Sequence, residues 1–445
     1  MKINSSNRTS GRRPAAQPAH HQPLSGSQWR LIVLASLGGS LEFYDFIVYG
    51  VFAQYIAAAF FPAADRLISL ILTFSVFAVG YFARPAGGVI LSHFGDKYGR
   101  RTVFILSLLI ISVSTFSIGL LPTYAKIGVA APILLIFLRL IQGFCLGGEL
   151  PGAITYVVEE APYRAGLVCG IVFCFANSGV VLATLMNLGV HSFLAPADVA
   201  AWGWRIPFFF GGVVGLFSFW LQQSLEESPE FARLRQFAFR RPFTEMIAKY
   251  KVPVLLGIAT SAVVGCFNGL LIAHMPAYLI TVLHSDPNSV VLGQNVCLGL
   301  ESAGLILTGW LGDLFPRRYL LRFGSILLAA AAWPFYHALV SKSVGLITLF
   351  VLAGIAATFA NGTFAAILAD LFPTRVRFSG VALAFNLSFT AFSGTAPLVA
   401  TSLIKATGWL AAPALFMIAC GILSFVASFG TPRYEGQIEH RSAVA

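Results

Sequence analysis

Residues 95–101 read GDKYGRR, and residues 312–318 read GDLFPRR, 217 positions later. Each heptad follows a long apolar run and ends in two arginines. A second pair of short loops, PYR at 162–164 and PTR at 373–375, is separated by 211 positions. Two matched loops at nearly the same offset indicate that the chain contains two parallel structural repeats.

The composition places most of the chain in a lipid bilayer. Of its 445 residues, 57% are hydrophobic and 11% are charged, whereas soluble domains carry about 25% charged residues. A membrane-spanning helix needs about 20 mostly apolar residues. Twelve segments meet this requirement, and they are 29–59, 67–92, 102–121, 131–158, 165–190, 204–223, 252–283, 289–312, 320–340, 344–369, 379–403 and 408–430. The sequence therefore predicts an all-α membrane protein whose twelve transmembrane helices form two six-helix, pseudo-symmetric halves.

The distribution of basic residues predicts how the helices are oriented. With the N-terminus inside, the inner segments hold 22 lysines and arginines and the outer segments hold 5. Because cytoplasmic loops retain positive charge, this asymmetry predicts that both termini are cytoplasmic. The predicted segments are a disordered tail at 1–28, a first bundle at 29–223, a linker at 224–251, a second bundle at 252–430 and a tail at 431–445. The first tail lacks an apolar core, so it is not expected to be a secretory signal peptide.

Other classes of function lack support in the sequence. The net charge of +11 is carried by short loops between apolar runs, which argues against binding of nucleic acid. The six cysteines and eight histidines show no metal-ligand spacing. The chain contains no catalytic triad, HExxH motif or phosphate-binding loop, so we expect neither an enzyme nor a cofactor.

Several motifs resemble those of the major facilitator superfamily, and within it the metabolite:proton symporters. The loop at 95–101 is similar to the superfamily signature between helices two and three, and RLIQG at 139–143 is similar to its helix-four signature. Motifs that resemble the symporter family more closely are EFYDF at 42–46, RPAGG at 84–88, GWRIPF at 203–208, ESPEF at 227–231, FPTRVR at 372–377 and GTAP at 394–397. The resemblance extends from about residue 35 to residue 430. It implies a carrier with the major facilitator fold, driven by a proton gradient.

Within this family the pattern looks most similar to the citrate and tricarballylate carriers. The α-ketoglutarate, shikimate and proline/betaine carriers share much of the same framework. Osmosensing betaine carriers have a long coiled-coil tail, whereas 12 residues follow Arg433 here. Two features depart from the family pattern: Pro316 replaces the second glycine of the repeated loop, and span five lacks the Ser/Trp/Gln-type side chains usual early in that helix.

Four charged residues inside the predicted spans are candidates for proton coupling. Glu42 and Asp45 lie three positions apart in span one, so they share one helix face. Two poorly solvated carboxylates close together can hold a proton, and an ion pair with a neighbouring helix is the alternative. Arg139 and Glu149 lie about 15 Å apart along span four, too far to pair. The resemblance associates Arg139 with proton linkage, and a fixed counter-charge for span one is the alternative.

The candidates for substrate binding carry charged, amide or aromatic side chains inside spans. They are Arg84, Tyr44, Asn177, His274, Tyr278 and Glu301. Arg84 can meet a substrate carboxylate with bidentate geometry, or it can brace the kink at Pro85. A pair of His274 and Glu301 in a cavity can carry a proton or bind a hydroxyl-rich acid, and Glu301 can instead pair with a helix neighbour.

Two other sets of side chains have open roles. Asparagines lie in spans five, seven, ten and eleven, where they can line a cavity or form hydrogen bonds between helices; they are Asn177, Asn268, Asn361 and Asn386. Three tyrosines are the ones to test for binding of a quaternary ammonium group; they are Tyr44, Tyr49 and Tyr278.

Charged residues of the repeated loop are candidates for gating. They are Asp96, Arg100 and Arg101 in the first repeat, and Asp313, Arg317 and Arg318 in the second. The resemblance implies that their carboxylates and guanidinium groups tie neighbouring helices together while the carrier is open to the outside. Breaking these ties would permit inward opening.

The sequence and the resemblance together predict proton-coupled uptake of a small organic acid, a di- or tricarboxylate such as citrate or α-ketoglutarate. Glu42 and Asp45 would carry the proton, while Arg84 and Arg139 supply positive charge. A zwitterionic solute such as betaine or proline is the alternative, and a non-transporting membrane sensor is a remote one. The expected partners are the solute, the proton and the lipid bilayer, without nucleic acid. We expect the chain to work as a monomer in the inner membrane.

Overall fold

The chain is helical throughout the part that can be described. The computed structural model describes residues 24–63, 65–98, 100–223, 249–374 and 376–434. Its regular elements within these ranges are helices, without a strand, which confirms the predicted all-α class. Most of the predicted N-terminal tail, of the linker at 224–251 and of the C-terminal tail lies outside the described residues.

Six apolar helices, numbered α1 to α6, form the first half. They are Gly26–Val51, Arg66–Tyr98, Arg100–Leu120, Ala130–Glu160, Ala165–Phe193 and Ile206–Gln223. Three short helices lie in the connections, and they are Ala53–Phe60, Tyr124–Ile127 and Pro196–Ala201. The predicted span 29–59 is therefore wrong as one helix, because Phe52 leaves helical geometry with φ −97° and ψ 15° and a separate helix begins at Ala53.

Six further helices, numbered α7 to α12, form the second half. They are Lys251–Val282, Pro287–Leu314, Arg317–Ser341, Leu346–Asp370, Arg377–Thr407 and Pro413–Ala427. The start of α8 is fixed by Asp286, whose carboxylate accepts a hydrogen bond from the Ser289 amide at 2.8 Å, and by Pro287 in the first turn. Within the described ranges, ten helices are long and apolar enough to cross a membrane, and α3 and α6 contain shorter apolar helices.

Contacts between the halves follow the internal repeat. Helix α5 packs on α8, α2 packs on α11, α1 packs on α7, and the second part of α4 packs on α10 and α11. We call the face that carries the starts of α5, α9 and α11 and the ends of α4, α8 and α10 the inner face, since it is the one predicted to be cytoplasmic. The opposite face is the outer face.

Glycines allow α5 and α8 to approach closely. Gly166 of α5 and Gly309 of α8 lie opposite each other, and a Cβ on either glycine would fall on the backbone of the other. Small residues at such crossings let membrane helices pack tightly. The contact lies at the inner face, where it brings the start of α5 against the end of α8.

Four helices depart from regular α-helical geometry near the middle of the bundle. Helix α4 is interrupted at Gly147 and Gly148, and α10 is interrupted at Gly362 and Thr363. Helix α7 contains π-helical turns at Asn268–His274 and Tyr278–Val282, and α11 contains one at Phe389–Gly394. Wide turns of this kind leave carbonyl groups unsatisfied and often occur at functional sites.

Candidate functional site

Buried polar side chains cross the first half from α1 to α4. Asp45 in α1 is 2% exposed, and the Thr115 hydroxyl of α3 lies beside its carboxylate. Thr115 Oγ1 donates to the Ile111 carbonyl of its own helix at 3.0 Å and accepts a hydrogen bond from Gln142 Nε2 at 2.7 Å. Gln142 Oε1 in turn accepts one from Arg139 Nη1 at 3.1 Å. In the described part of the chain, Thr115 and Gln142 thus lie between Asp45 and Arg139, which form no direct ion pair.

Helix α6 confines Asp45 from the other side. Gly211 of α6 lies against the carboxylate, and a Cβ there would meet Asp45 Oδ1 at 2.5 Å. Asp45 Oδ1 has no hydrogen-bond partner among the described residues. Tyr44 also turns toward α6, where its hydroxyl donates to the Pro207 carbonyl at 2.8 Å. Burial of a carboxyl group in such surroundings costs less free energy when the group carries a proton than when it is ionised.

Both buried arginines of the first half stack on aromatic rings. Arg139 Cζ lies 4.0 Å from the ring centroid of Phe46 and 4.4 Å from that of Tyr49. Arg84 Cζ lies 4.3 Å from the ring centroids of Phe46 and Tyr81. Desolvated contacts of this type contribute about 2 kcal/mol. Nε of Arg84 and both Nε and Nη2 of Arg139 have no hydrogen-bond partner among the described residues, so both groups keep N–H donors available.

The structure does not test the other two candidates for proton coupling. The side chain of Glu42 lies outside the described residues, so its proximity to Asp45 stays a prediction. Glu149 begins the second part of α4 and is half-buried. The structure thus brings Asp45 and Arg139 into one network.

A second polar cluster lies between the halves. Glu301 of α8 is 1% exposed and accepts a hydrogen bond from Asn361 Nδ2 of α10. Asn177 of α5, in the opposite half, lies alongside the same carboxylate. Glu301 Oε2, Asn361 Oδ1 and Asn177 Nδ2 have no hydrogen-bond partner among the described residues. These three residues form what we call the central cluster, and its open atoms can bind a proton or a polar solute.

Phenylalanines close the central cluster toward the inner face. Phe173 lies one turn before Asn177 in α5, and Phe364 lies one turn after Asn361 in α10; their ring centroids are 4.9 Å apart. The Phe385 ring of α11 lies 6.5 Å from both of these rings. An apolar layer contributed by both halves therefore separates the cluster from the inner face.

His274 and Glu301 do not form the predicted pair within the described residues. The His274 ring stacks on Tyr278 with centroids 5.4 Å apart and lies 5.8 Å from Phe74 of α2. The physical reason is that Gln294, two turns before Glu301 in α8, lies opposite this part of α7. Its Nε2 donates to the carbonyls of the π-helical turn, those of Leu271 and Ile272.

The remaining polar candidates have backbone acceptors. The Tyr278 hydroxyl donates to the Leu410 carbonyl at 2.9 Å, and Asn268 Nδ2 donates within its own helix at 2.9 Å. Asn386 Nδ2 donates to the Gly147 carbonyl at 2.6 Å and joins the two halves. Binding of substrate by the tyrosines stays a prediction. The side chain of Asn386 forms a hydrogen bond that joins α11 to α4.

Charged groups of the second repeated loop close the inner face. The Asp313 carboxylate accepts hydrogen bonds from the backbone amides of Gly166 at 2.7 Å and Leu167 at 2.9 Å, at the start of α5. Arg317 pairs with Asp313 at 3.0 Å and with Asp370 of α10 at 2.8 Å. We call Asp313, Arg317 and Asp370 the inner triad, which ties α8, α9 and α10 to α5 of the other half.

A second tie lies at the same face. Arg377 of α11 pairs with Glu159 of α4 at 3.2 Å. Arg318 lies over the Tyr319 ring, with Cζ 5.0 Å from its centroid. The side chains of the first repeated loop, namely those of Asp96, Arg100 and Arg101, lie outside the described residues, so their gating role stays a prediction.

The outer face is also bridged between the halves. Lys405 at the end of α11 pairs with Asp65 just before α2, and its hydrogen bond holds the pKa of the Asp65 carboxyl below the ordinary value. Thr184 Oγ1 of α5 donates to Asn295 Oδ1 of α8 at 2.8 Å. With ties at both faces, the structure encloses the central cluster.

The sequence does not indicate a role for several of these residues. Gln142 lies inside the RLIQG motif beside the candidate Arg139, and Asp370 directly precedes the LFPTR stretch. Thr115 carries no signal, since hydroxyl residues are common in membrane helices and usually bond to their own backbone. Among the described residues, no group of three His, Cys, Asp or Glu side chains is placed to hold a metal ion.

Comparison with known proteins identifies the family. The sequence description of the Major Facilitator Superfamily matches residues 35–389. The chain belongs to the major facilitator superfamily. The members to which it is similar are transporters and not enzymes, as the sequence predicted.

Individual members of the superfamily match nearly the whole chain. The citrate-proton symporter of Klebsiella pneumoniae is 34% identical over 406 residues, covering 90% of this chain and 91% of that protein. The proline/betaine transporter of Escherichia coli (strain K12) is 33% identical over 416 residues, covering 90% and 83%. The solved structure of the proton:xylose symporter XylE bound to 6-bromo-6-deoxy-D-glucose superimposes with a TM-score of 0.72 at 16% identity, covering 92% and 95%. That last likeness confirms the twelve-helix fold.

Proposed function

We propose that this chain is a proton-coupled symporter that takes up a small organic acid, a di- or tricarboxylate, by alternating access. The observation that carries the proposal is the buried connection from Asp45 through Thr115 and Gln142 to Arg139. A proton on Asp45 neutralises the acid end of this connection. Loss of the proton leaves an anion that attracts the Arg139 guanidinium, which changes the packing of α1, α3 and α4.

The buried arginines support an acidic substrate. Arg84 and Arg139 both approach the Phe46 ring, and three of their nitrogens lack a hydrogen-bond partner among the described residues. Guanidinium groups held in this way can bind a carboxylate with charge-assisted hydrogen bonds. The first half would therefore supply both the proton site and the attraction for an anion.

Alternating access is supported by the ties at the two faces. The inner triad and the pair of Arg377 with Glu159 join the halves on one side, and the pair of Asp65 with Lys405 joins them on the other. Opening to either side requires that one set breaks while the other stays. In this proposal the inner face is cytoplasmic, the membrane is the bacterial inner membrane, no cofactor is required and one chain suffices for transport.

A zwitterionic solute is the second candidate. Similarity to the proline/betaine transporter equals that to the citrate-proton symporter within about one per cent of identity. The central cluster favours this candidate through Glu301, because a cationic group of the solute can pair with its carboxylate.

Uptake into proteoliposomes with an alkaline interior tests the proposal. The probes are labelled citrate, α-ketoglutarate, shikimate and glycine betaine. We expect one of the acids to accumulate and its accumulation to stop when the pH gradient is collapsed. Asp45→Asn should abolish accumulation while solute exchange at equal pH continues. Accumulation of glycine betaine alone, or full accumulation by Asp45→Asn, would contradict the proposal.

A further inference from the structure

The central cluster contains a carboxylate without a compensating charge. One oxygen of Glu301 accepts from Asn361, and the other has no hydrogen-bond partner among the described residues. The neighbours that interact with it are neutral, namely Asn361, Asn177 and the thiol of Cys297 one turn earlier in α8. Within the described ranges, neither α5 nor α10 presents a lysine, arginine or histidine that pairs with Glu301.

Asp313 provides a contrast on the same helix. It lies twelve residues after Glu301, and its carboxylate receives Arg317 together with the amides of Gly166 and Leu167. The charge of Asp313, near the membrane surface, is thus compensated by Arg317 and two amides. The carboxylate of Glu301, near the middle of the same helix, has no such partner among the described residues. Ionisable groups kept in such surroundings are expensive and mark a function.

The two halves differ in how they hold their buried acid. Asp45 lies inside the first half and is linked to Arg139 through Thr115 and Gln142. Glu301 lies at the boundary between the halves, where Asn177 faces it from the first half and Asn361 from the second. Glu301 is therefore placed to meet a solute enclosed between the halves.

We propose that Glu301 is a second proton site, which must be protonated before an anionic solute can bind beside it. The proposal rests on the proposed organic-acid symport. An ionised Glu301 repels a carboxylate across a short distance in a poorly solvated site. The neutral acid instead offers its O–H as a hydrogen-bond donor, next to the open atoms of Asn361 and Asn177. The proton enters with the solute from the outer face and leaves with it at the inner face, so each cycle moves two protons.

Glu301→Gln tests the proposal, because glutamine keeps the shape and a neutral donor but cannot exchange a proton. Labelled citrate is the probe, with the membrane potential clamped at zero. With one coupled proton fewer, a gradient of one pH unit should sustain about tenfold less accumulation than in the wild type. The apparent affinity for citrate should depend less on pH than in the wild type, because Asp45 is then the proposed proton site that is left. Glu301→Asp should retain the pH dependence.

Infrared difference spectroscopy gives a second measurement that needs no solute. The purified protein in lipid, titrated between acid and alkaline pH, should show the carbonyl band of a buried protonated carboxyl group. Glu301→Gln should remove this band, whereas Asp45→Asn should remove a different one. This measurement shows whether Glu301 binds a proton even if none of the four solutes is transported. In that case the proposed function would be wrong, while the inference about Glu301 would still be tested.

Three results would overturn the inference. Unchanged accumulation in Glu301→Gln, together with an unchanged infrared spectrum, would show that Glu301 exchanges no proton. Loss of all solute exchange in a folded Glu301→Gln protein would show that the solute needs the ionised carboxylate, as a cationic or zwitterionic solute does. Stimulation of wild-type uptake by sodium, lost in Glu301→Gln, would assign the cluster to a sodium ion.

Discussion

Asp45 and Arg139 share one network although neutral side chains separate them. The hydrogen bonds from Arg139 to Gln142 and from Gln142 to Thr115 are 3.1 and 2.7 Å long. Hydrogen bonds between membrane helices contribute about 0.6 kcal/mol on average, whereas a charged side chain at the centre of a membrane helix costs about 2.5–3.5 kcal/mol. The network is thus too weak to offset an ionised Asp45, and a proton on this carboxyl group is the less costly state.

Thr115→Val tests whether the hydroxyl connects the acid to the base. Valine keeps the shape of threonine and removes the hydrogen bond with Gln142. We expect accumulation driven by the pH gradient to fall about fivefold, the effect of one hydrogen bond of about 1 kcal/mol. Solute exchange at equal pH should not change, because the hydroxyl does not belong to the central cluster.

Thr401→Val is the matched control for this experiment. Thr401 is similarly buried, and its hydroxyl donates to the Pro397 carbonyl of its own helix at 2.8 Å, just as the Thr115 hydroxyl donates to the Ile111 carbonyl at 3.0 Å. Among the described residues, however, no side chain is seen to donate to Thr401. Its removal should leave accumulation intact. An equal loss in both variants would mean that removal of any buried hydroxyl is harmful, and the assignment of Thr115 would fail.

The buried charged residues were predictable from the sequence, whereas the hydrogen bonds between them were not. Asp45, Arg139 and Glu301 stand out in the sequence because charged residues are rare inside apolar runs. Thr115 does not stand out, and its position beside Asp45 depends on how α1 and α3 pack. The pairing of His274 with Glu301 is expected from their places in the neighbouring spans seven and eight, whereas the side chain of Gln294 lies opposite the π-helical turn of α7.

Helices α5 and α8 form the contact through which the inner face closes. Gly309 lets the two backbones approach, and the Asp313 carboxylate then meets the first amides of α5. The first amides of a helix lack partners within the helix and carry its positive dipole end. The tie therefore forms between a fixed anion of one half and a helix end of the other.

Asp313→Asn should loosen this tie, because the amide keeps the shape and loses the charge that attracts Arg317 and the helix end. Hydrogen bonds to charged groups contribute about 1.5–3 kcal/mol. We expect states open at the inner face to become about tenfold more populated. The native Cys169 is a reporter, since its buried thiol lies near the inner triad. Its rate of labelling by a polar thiol reagent should rise about tenfold.

Two other native cysteines serve as controls for the labelling. Cys266 and Cys420 are buried against each other between α7 and α12, within the second half. Their labelling should not change in Asp313→Asn, and Cys169→Ser should remove the reporter signal. Faster labelling of all three thiols would indicate general destabilisation rather than opening of the inner face.

The positions of the helices were predictable, whereas their interruptions were not. Runs of about 20 apolar residues give the spans to within a few residues, because lipid requires every backbone polar group to be satisfied within a helix. Hydropathy does not report where the hydrogen-bond register changes. The end of α1 at Val51, the break in α4 and the π-helical turns of α7 and α11 therefore appear in the structure alone.

The molecule as a whole is closed at both faces around the central cluster. The loop motif that repeats at an offset of 217 residues predicted two halves. In the structure these halves contact each other through α5 with α8 and through α2 with α11. A contact across the halves was predictable for Asp313, which belongs to the repeated loop and accepts hydrogen bonds from the first amides of α5. It was not predictable for Asp65 and Lys405, because no repeat connects them.

The outer tie does not supply the expected dependence on pH. Its hydrogen bond with Lys405 lowers the pKa of the Asp65 carboxyl from 3.8. A lowered pKa means that the ion pair is complete above the ordinary value and is lost only as the pH falls through the lowered value. From about pH 5 to 8 the Asp65 carboxyl group stays ionised. This tie therefore supplies no dependence of transport on pH in that range, which the proposed function assigns to the buried acids.

Cross-linking at the outer face tests whether transport requires the halves to separate there. Lys405 is exposed and Asp65 is partly exposed. Ion pairs at the surface contribute little to stability, so their removal should leave uptake nearly unchanged. A variant carrying Asp65→Cys and Lys405→Cys, joined through two disulfides by a bifunctional methanethiosulfonate reagent, should instead lose uptake and recover it on reduction. Each single variant treated with the same reagent should stay active. Uptake that continues after complete cross-linking would show that α2 and α11 do not have to separate at the outer face. The proposal that the solute enters between these two helices would then be wrong.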